Sequence, residues 1–239
     1  DRYKNEIAAL VVDPLLTQSG MVEPKKGFLE FLRKVTRENN IVLIFDEVIT
    51  GFRLCIGGAQ EYYGVTPDMG VFGKIVAGGL PIGIVTGNQE TMQLFDPSAP
   101  GGAKVSFFGT FNANSLTMAA ALAIIRELKE GKVYSYVNQL GTEMKAAFEE
   151  KVKDAKLNFQ VVGLGSMFQI YFTEKEVVDY RTASATDKNL HRKFRMKLLE
   201  NGVFIHPKSL GRWFVSSSHT KEDRDKTIEA VEVTLKALK

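Results

Sequence analysis

Two residues stand out for where they fall. Asp46 closes the apolar run IVLIFDE (41–47) together with Glu47. Lys74 sits by itself in VFGKIVAGGLPIGIV (71–85), a glycine-rich apolar stretch with no acid nearby. Burying an unpaired ammonium is costly, so such a lysine neutralises, finds a distant partner or reaches water. A carboxylate and a lysine close to one ligand suit pyridoxal phosphate: the lysine forms a Schiff base, and the acid keeps the pyridinium nitrogen protonated so that the ring acts as an electron sink. Desolvation and the cofactor favour the neutral amine that this chemistry needs. On spacing alone a simpler reading is favoured, in which Lys74 snorkels from a strand end beside a strand-capping acid.

The run IVLIFDE also has the form of a Walker B strand, whose acids hold magnesium in an ATPase. The matching phosphate loop is missing. Asp68 stands where GxxxxGK[ST] needs its first glycine, and Ile75 follows Lys74 where Ser or Thr is required.

The elements that position these residues alternate. IAALVV (7–12), closed by Asp13-Pro14, reads as a strand buried on both faces, and GFLEFLRKVTRENN (27–40) carries a helical apolar stripe. IVLIFDE, DMGVFGK (68–74) and IGIVTG (82–87) read as strands. NANSLTMAAALAIIRELKEG (112–131) reads as a helix closed by Gly131, and a second helix spans Val133 to Lys153. Strands alternating with helices imply an α/β fold with a mainly parallel sheet, whose ligands bind beyond the carboxyl ends of the strands.

From residue 157 the texture changes. FQVVG and SMFQIYFT form a strand pair around Gly163 and Gly165, and DKNLHRKFRMKLLENG is a helix capped at Gly202. VFIHP and RWFVSSS are short strands, and a closing amphipathic helix starts at Thr220 as N-cap. This is an α+β pattern, and the expected division is 1–156 and 157–239.

The bulk numbers exclude several classes. A chain of 239 residues, 44% hydrophobic and 25% charged, buries a sizeable core as one large domain or two small ones. The net charge of +3 comes without a basic block, so no nucleic-acid partner is implied. No apolar run reaches the length of a membrane span, and the opening residues have no apolar signal core. Cys55 is the sole cysteine, which fits a reducing compartment, the cytoplasm, and a packing role. No two histidines have metal-ligand spacing.

GFLEFLRKVTRENNIVLIFDEVITGFR followed by GGAQEYYGVTPDMGVFGKIVAGGLPIG resembles the class III pyridoxal-phosphate aminotransferases, nearest the glutamate-1-semialdehyde aminomutase branch. FGTFNANSLTMAAALA and GSMFQIYFT…LLENGVFIHP…SSSHT continue the match in order, so that it covers essentially the whole chain. The resemblance implies part of a type I pyridoxal-phosphate transferase large domain followed by a C-terminal small domain. It also implies pyridoxal 5'-phosphate as cofactor, a small amino acid or amino-ketone substrate, and a homodimer with sites shared across its interface. Lys74 is the Schiff-base lysine of that scheme and Asp46 pairs with the pyridine nitrogen. Val48 packs on the ring face, and Thr110 hydrogen-bonds the cofactor phosphate of the neighbouring protomer. The local alternatives are ordinary core for Val48 and a helix N-terminal role for Thr110.

The implied reaction is amino transfer, with two alternatives: the intramolecular transfer of an aminomutase, or a non-catalytic truncated homologue or subunit. Departures from the family pattern bear on that choice. Ile49 stands where many members carry Gln, Asp13-Pro14 replaces Glu-Pro, and Ala113 and Ser115 replace Gly and Pro in the phosphate stretch. The glutamate that the aminomutase carries near its C-terminus aligns with Gly211, followed by Arg212. Arg212 would pin a substrate carboxylate by a bidentate contact, or else flank Trp213 at the surface. Among the histidines, His206 reads as structural, His219 as a helix-start residue and His191 as solvated on a charged helix.

Family members are longer at the N-terminus, where the resemblance implies a Ser/Thr-Gly phosphate loop and an aromatic that stacks on the ring. Neither motif is visible in this chain. It is therefore expected to begin at a middle strand of the large domain, and to bind pyridoxal phosphate poorly by itself.

Overall fold

The computed structural model describes residue 3 and residues 5–102, 104–155 and 157–238. The chain divides into two compact units. The first takes Asp1–Pro14 and Pro24–Gly131; the second takes Leu15–Glu23 and Lys132–Lys239.

The first unit is built on a four-stranded sheet. Its strands are β1 (Ala9–Val12), β2 (Val42–Asp46), β3 (Met69–Gly73) and β4 (Gly83–Gly87), in that order across the sheet. β1, β2 and β3 run parallel and β4 returns antiparallel. Helix α1 (Phe28–Glu38) lays Leu29 on Leu43, Phe45 and Val65, a small core in which all four side chains are buried. Arg33 on α1 pairs with Asp68 at 2.9 Å, and the other Asp68 oxygen accepts from the Leu43 N–H at 2.8 Å. One carboxylate thus joins α1, β2 and the entry to β3. The short helices α2 (Gly58–Tyr63) and α3 (Gln89–Met92) follow β2 and β4. Helix α4 (Ser115–Lys129) starts at Asn114, whose side chain accepts from the Leu116 and Thr117 amides. It begins three residues later than the sequence suggests, because residues 110–113 form a turn.

β1 is not buried on both faces. It lies at the sheet edge, with Val11 63% exposed, because among the described residues no layer covers that side.

The second unit pairs helix α5 (Lys132–Ala155) with an antiparallel sheet of β5 (Phe159–Leu164), β6 (Met167–Phe172) and β7 (Trp213–Phe214). β5 and β6 turn at Gly165 and Ser166. Helices α6 (Tyr180–Ser184), α7 (Lys188–Glu200) and α8 (Lys221–Ala237) complete it. Leu140, Phe148 and Val152 of α5 share one core with Phe168, Phe194, Leu198 and Leu235. That shared core puts α5 in the second unit, whereas the sequence-based division at 156 assigns it to the first. VFIHP forms no strand, since residues 203–206 find no ladder partner. Thr220 caps α8 as expected, in a capping box with Asp223.

Residues 15–23 belong with the second unit for a specific reason. The Tyr171 hydroxyl, on the fully buried β6, donates to Gly20 O at 2.7 Å. Gly20 has φ +116°, and a Cβ there would overlap the Tyr171 hydroxyl, so this close approach needs glycine. Val22 packs beside Tyr171, Val177 and Ala183.

Candidate active site

Asp46 and Lys74 both stand at the carboxyl end of the parallel strands of the first sheet. β2 and β3 are adjacent and parallel, with Asp46 opposite Val71, so Asp46 ends β2 and Lys74 directly follows β3. Both side chains therefore leave the carboxyl ends of neighbouring strands, where α/β sheets hold ligands. Lys74 has φ +53°, a left-handed conformation uncommon outside glycine. It opens a 3₁₀ turn, Lys74–Ala77, anchored by the fully buried Val76 and Ala77. The buried half of the turn fixes the backbone while the Lys74 side chain stays exposed, with no ion-pair or hydrogen-bond partner among the described residues.

Asp46 is exposed at the strand end, and its Oδ1 accepts the Val48 N–H at 3.1 Å. Val48 is half-buried in a turn rather than in an extended continuation of β2. Its Cγ1 lies 3.7 Å from where a Cβ on Gly73 would stand, so Val48 is at the Lys74 end of β3. An open carboxylate, an open amine and an apolar side chain stand at that end of the sheet. This donor set fits a flat cationic ring that carries an aldehyde.

Glu47, the second acid of the pair, has a supporting role that the sequence reading did not assign. Strand alternation sends it to the opposite side from Asp46, and it is fully buried. Oε2 accepts from Thr50 Oγ1 at 2.9 Å and Ala59 N at 2.5 Å. Oε1 accepts from Gln60 N at 3.1 Å and Gln60 Nε2 at 3.3 Å. Burial pushes the Glu47 carboxyl up, while the hydrogen bonds from Ala59, Gln60 and Thr50 pull against it. Glu47 thereby ties the 50–60 segment to the strand end that carries Asp46. Its signal in the sequence was the second acid of the Asp-Glu pair.

The other expected site residues are placed by their own local surroundings. Thr110 is exposed in the turn before α4, between Phe108 and Phe111, and no hydrogen bond joins it to Asp46, Val48 or Lys74. The N-cap of α4 is Asn114, not Thr110. Arg212, in the second unit, donates from Nη1 to Thr17 O at 3.2 Å and to Gln18 Oε1 at 2.6 Å. It fastens residues 15–23 rather than lying free at the surface. His191 is buried, 3% exposed, against the expectation that it is solvated, because it shares the inward face of α7 with Phe194 and Leu198. His206 is exposed and accepts the Lys208 N–H, while His219 accepts from Ser216 N just before α8. The Cys55 thiol, half-buried and bonded to Gly58 O, is pushed up to about 11 by burial and then by Glu61, which keeps it protonated.

A model of the class-III aminotransferase family matches residues 1–235. The chain belongs to the class III aminotransferases. Similar curated relatives include the glutamate-1-semialdehyde 2,1-aminomutase of Methanosphaera stadtmanae, 45% identical over 98% of the chain and 54% of the relative. That of Akkermansia muciniphila is 40% identical over 99% of the chain and 54% of the relative. The chain spans about half the length of the curated relatives it matches. Among solved structures, an omega-transaminase from Sphaerobacter thermophilus superposes with a TM-score of 0.88 at 34% identity, over 99% of the chain and 53% of that structure. A glutamate-1-semialdehyde aminomutase from Pseudomonas aeruginosa gives 0.86 at 25% identity, over 97% and 52%. The class III assignment agrees with the mixed α/β fold, in which a sheet with parallel strands precedes an α+β part. No helix among the described residues is long and apolar enough to cross a membrane.

Proposed function

We propose that this class III aminotransferase chain carries the lysine-bearing part of a pyridoxal 5'-phosphate site and serves amino-group transfer on a small amino acid or amino-ketone. The observation that carries the reading is the exit of Asp46 and Lys74 from the carboxyl ends of two adjacent parallel strands. When bound, the cofactor supplies an electron sink for the carbon that bears the amino group. Asp46 would hold the protonated ring nitrogen and so keep the ring cationic. Lys74 Nζ would hold the cofactor and move a proton at the carbon that bears the amino group. Val48 would cover a ring face and keep water from it. Arg212 is the candidate for a substrate carboxylate, a role in which it exchanges its bonds to Thr17 and Gln18.

A homodimer completes this reading, with Thr110 turned to the cofactor phosphate of the second copy. The exposed apolar residues around Thr110 support it: Phe108 is 90% and Phe111 83% exposed. The lone Cys55 suits a cytoplasmic setting. Intramolecular amino transfer is the second reading, favoured by relatives that carry the aminomutase name. Product formation without an added amino acceptor separates the two.

Borohydride trapping tests the cofactor site and tolerates weak binding. The chain is incubated with pyridoxal phosphate, reduced, digested and mapped by mass. Label concentrated at Lys74, lost in Lys74→Ala and reduced in Asp46→Asn, is the expected result. Label spread over surface lysines and absent from Lys74 sinks the reading.

A further inference from the structure

The second unit holds an open cleft of about 450 Å³ that the amino-transfer reading does not use. Three pieces of chain build it. α7 contributes Lys188, His191 and Arg192, spaced i, i+3 and i+4 and therefore on one face. α6 contributes Tyr180 and Ser184, one turn apart. The loop 207–210 closes the third side. It is tied to β6 by buried Gln169, whose Nε2 donates to Ser209 O at 2.8 Å, and it is tightened by Gly211 N–H donating to Lys208 O at 2.7 Å.

The charge of the cleft is one-sided. Lys188, Arg192 and Lys208 are exposed, and among the described residues their side chains have no ion-pair or hydrogen-bond partner. Among the described residues no carboxylate lines the cleft. The nearby acids are turned to backbone amides: Asp187 Oδ1 accepts from Asn189 N and Leu190 N at 2.8 and 2.9 Å, and Asp179 Oδ1 from Thr182 N at 2.8 Å. α7 opens on Lys188 and has no acid in its first turn. The N-cap Asp187 already supplies a carboxylate to that end of the helix dipole, so the pull on a further anion comes from the three exposed cations. His191 lies against Phe172, ring centroids 5.8 Å apart. Burial first, then Arg195 and His206, hold its pKa below the ordinary imidazole range, so it adds a neutral ring to the wall at neutral pH. Pro207, Leu210 and the Tyr180 ring supply apolar surface beside the cations.

We infer that this cleft binds a small organic phosphomonoester, with the phosphate among Lys188, Arg192 and Lys208 and an aromatic or apolar body against Tyr180, Pro207 and Leu210. Three cations from two separate chain segments match a dianion with three equivalent oxygens better than a monocarboxylate. Ser209 stands where its hydroxyl can complete the hydrogen bonding, while the Ser184 hydroxyl donates to Arg181 O at 3.0 Å.

Phenyl phosphate is the probe, because it has the charge and the ring but no aldehyde for Lys74. Calorimetry and amide chemical shifts on the whole 239-residue chain should show saturable binding, with shifts at Ser184, Ser209 and Leu210. Benzoate should bind at least about tenfold more weakly. The double variant Lys188→Ala/Arg192→Ala and, on the other segment, Lys208→Ala should each weaken phenyl phosphate by about tenfold or more without lowering the melting temperature. These side chains are exposed, so the folded state survives their loss. The inference is overturned by the absence of saturable shifts, by benzoate binding as tightly, or by binding that persists in both variants. Binding that disappears in Lys74→Ala instead would place the phosphate at the other site and overturn it equally.

Discussion

At the scale of single residues, the Asp-Glu pair divides its labour by strand alternation. Asp46 faces the open end of the sheet and Glu47 faces inward, where four donors meet its two oxygens. Each oxygen accepts from at least one backbone amide. A Glu47→Gln substitution therefore sets an NH₂ group against an N–H whichever way the amide is turned, and a buried donor is left without an acceptor. The expected cost is about 1–3 kcal/mol in urea unfolding of the first unit. Unchanged stability would show that the 50–60 segment is held by something else. Asp46 and Lys74 were legible in the sequence because each interrupts an apolar run. His191 was misread because its helix is rich in charge. The spacing of His191, Phe194 and Leu198 marks the buried stripe, and the surrounding lysines and arginines hid it. Arg212 was singled out from the sequence, but its partners Thr17 and Gln18 lie far away in the chain and leave no local trace.

At the scale of elements, periodicity located the central strands and long helices because their burial alternates or repeats. β2 reads half-buried, buried, half-buried, buried, exposed, the signature of a strand with one well-covered face. VFIHP is similarly apolar at its start but has no neighbour to pair with, and composition carries no information about that. What aligns α1 with β2 and β3 is Asp68. Burial raises its pKa, but the bonds from Arg33 and Leu43 outweigh that and hold the carboxyl below its ordinary 3.8. A depressed folded-state pKa means that Asp68 stabilises fully above the unfolded value. That contribution is lost as pH falls through 3.8 and on through the lower folded value. Asp68→Asn should lower stability by about 1 kcal/mol at neutral pH, a modest figure because the pair is partly exposed. It should also flatten this part of the acid branch in pH-dependent melts. A variant with an acid branch as steep as the wild type would assign the pH dependence to other groups.

At the scale of the whole molecule, the division into two units was only half legible. The change of texture near residue 157 marks the start of β5, but the boundary falls at Gly131, because α5 packs into the core of the second unit. The passage of residues 15–23 into that unit rests on Tyr171 and Gly20, a contact between residues far apart in sequence that no window of sequence could report. The first unit also displays apolar surface that its own residues leave open. Val105, Phe107, Phe108, Phe111 and Leu116 are 45%, 63%, 90%, 83% and 69% exposed, clustered from the loop before α4 into its first turn. Exposed apolar side chains grouped in this way are costly to hydrate and mark an interaction surface. If a second copy covers it, the chain should self-associate at micromolar concentration in sedimentation experiments. Phe108→Glu/Phe111→Glu should then sediment as a monomer, because burying two carboxylates without partners costs more than the apolar contact returns. Both phenylalanines are exposed within the chain, so the double variant should melt as the isolated protomer does. A wild-type chain that stays monomeric, or a variant that associates as strongly, would assign the patch to a different partner and detach Thr110 from the neighbouring copy's cofactor phosphate.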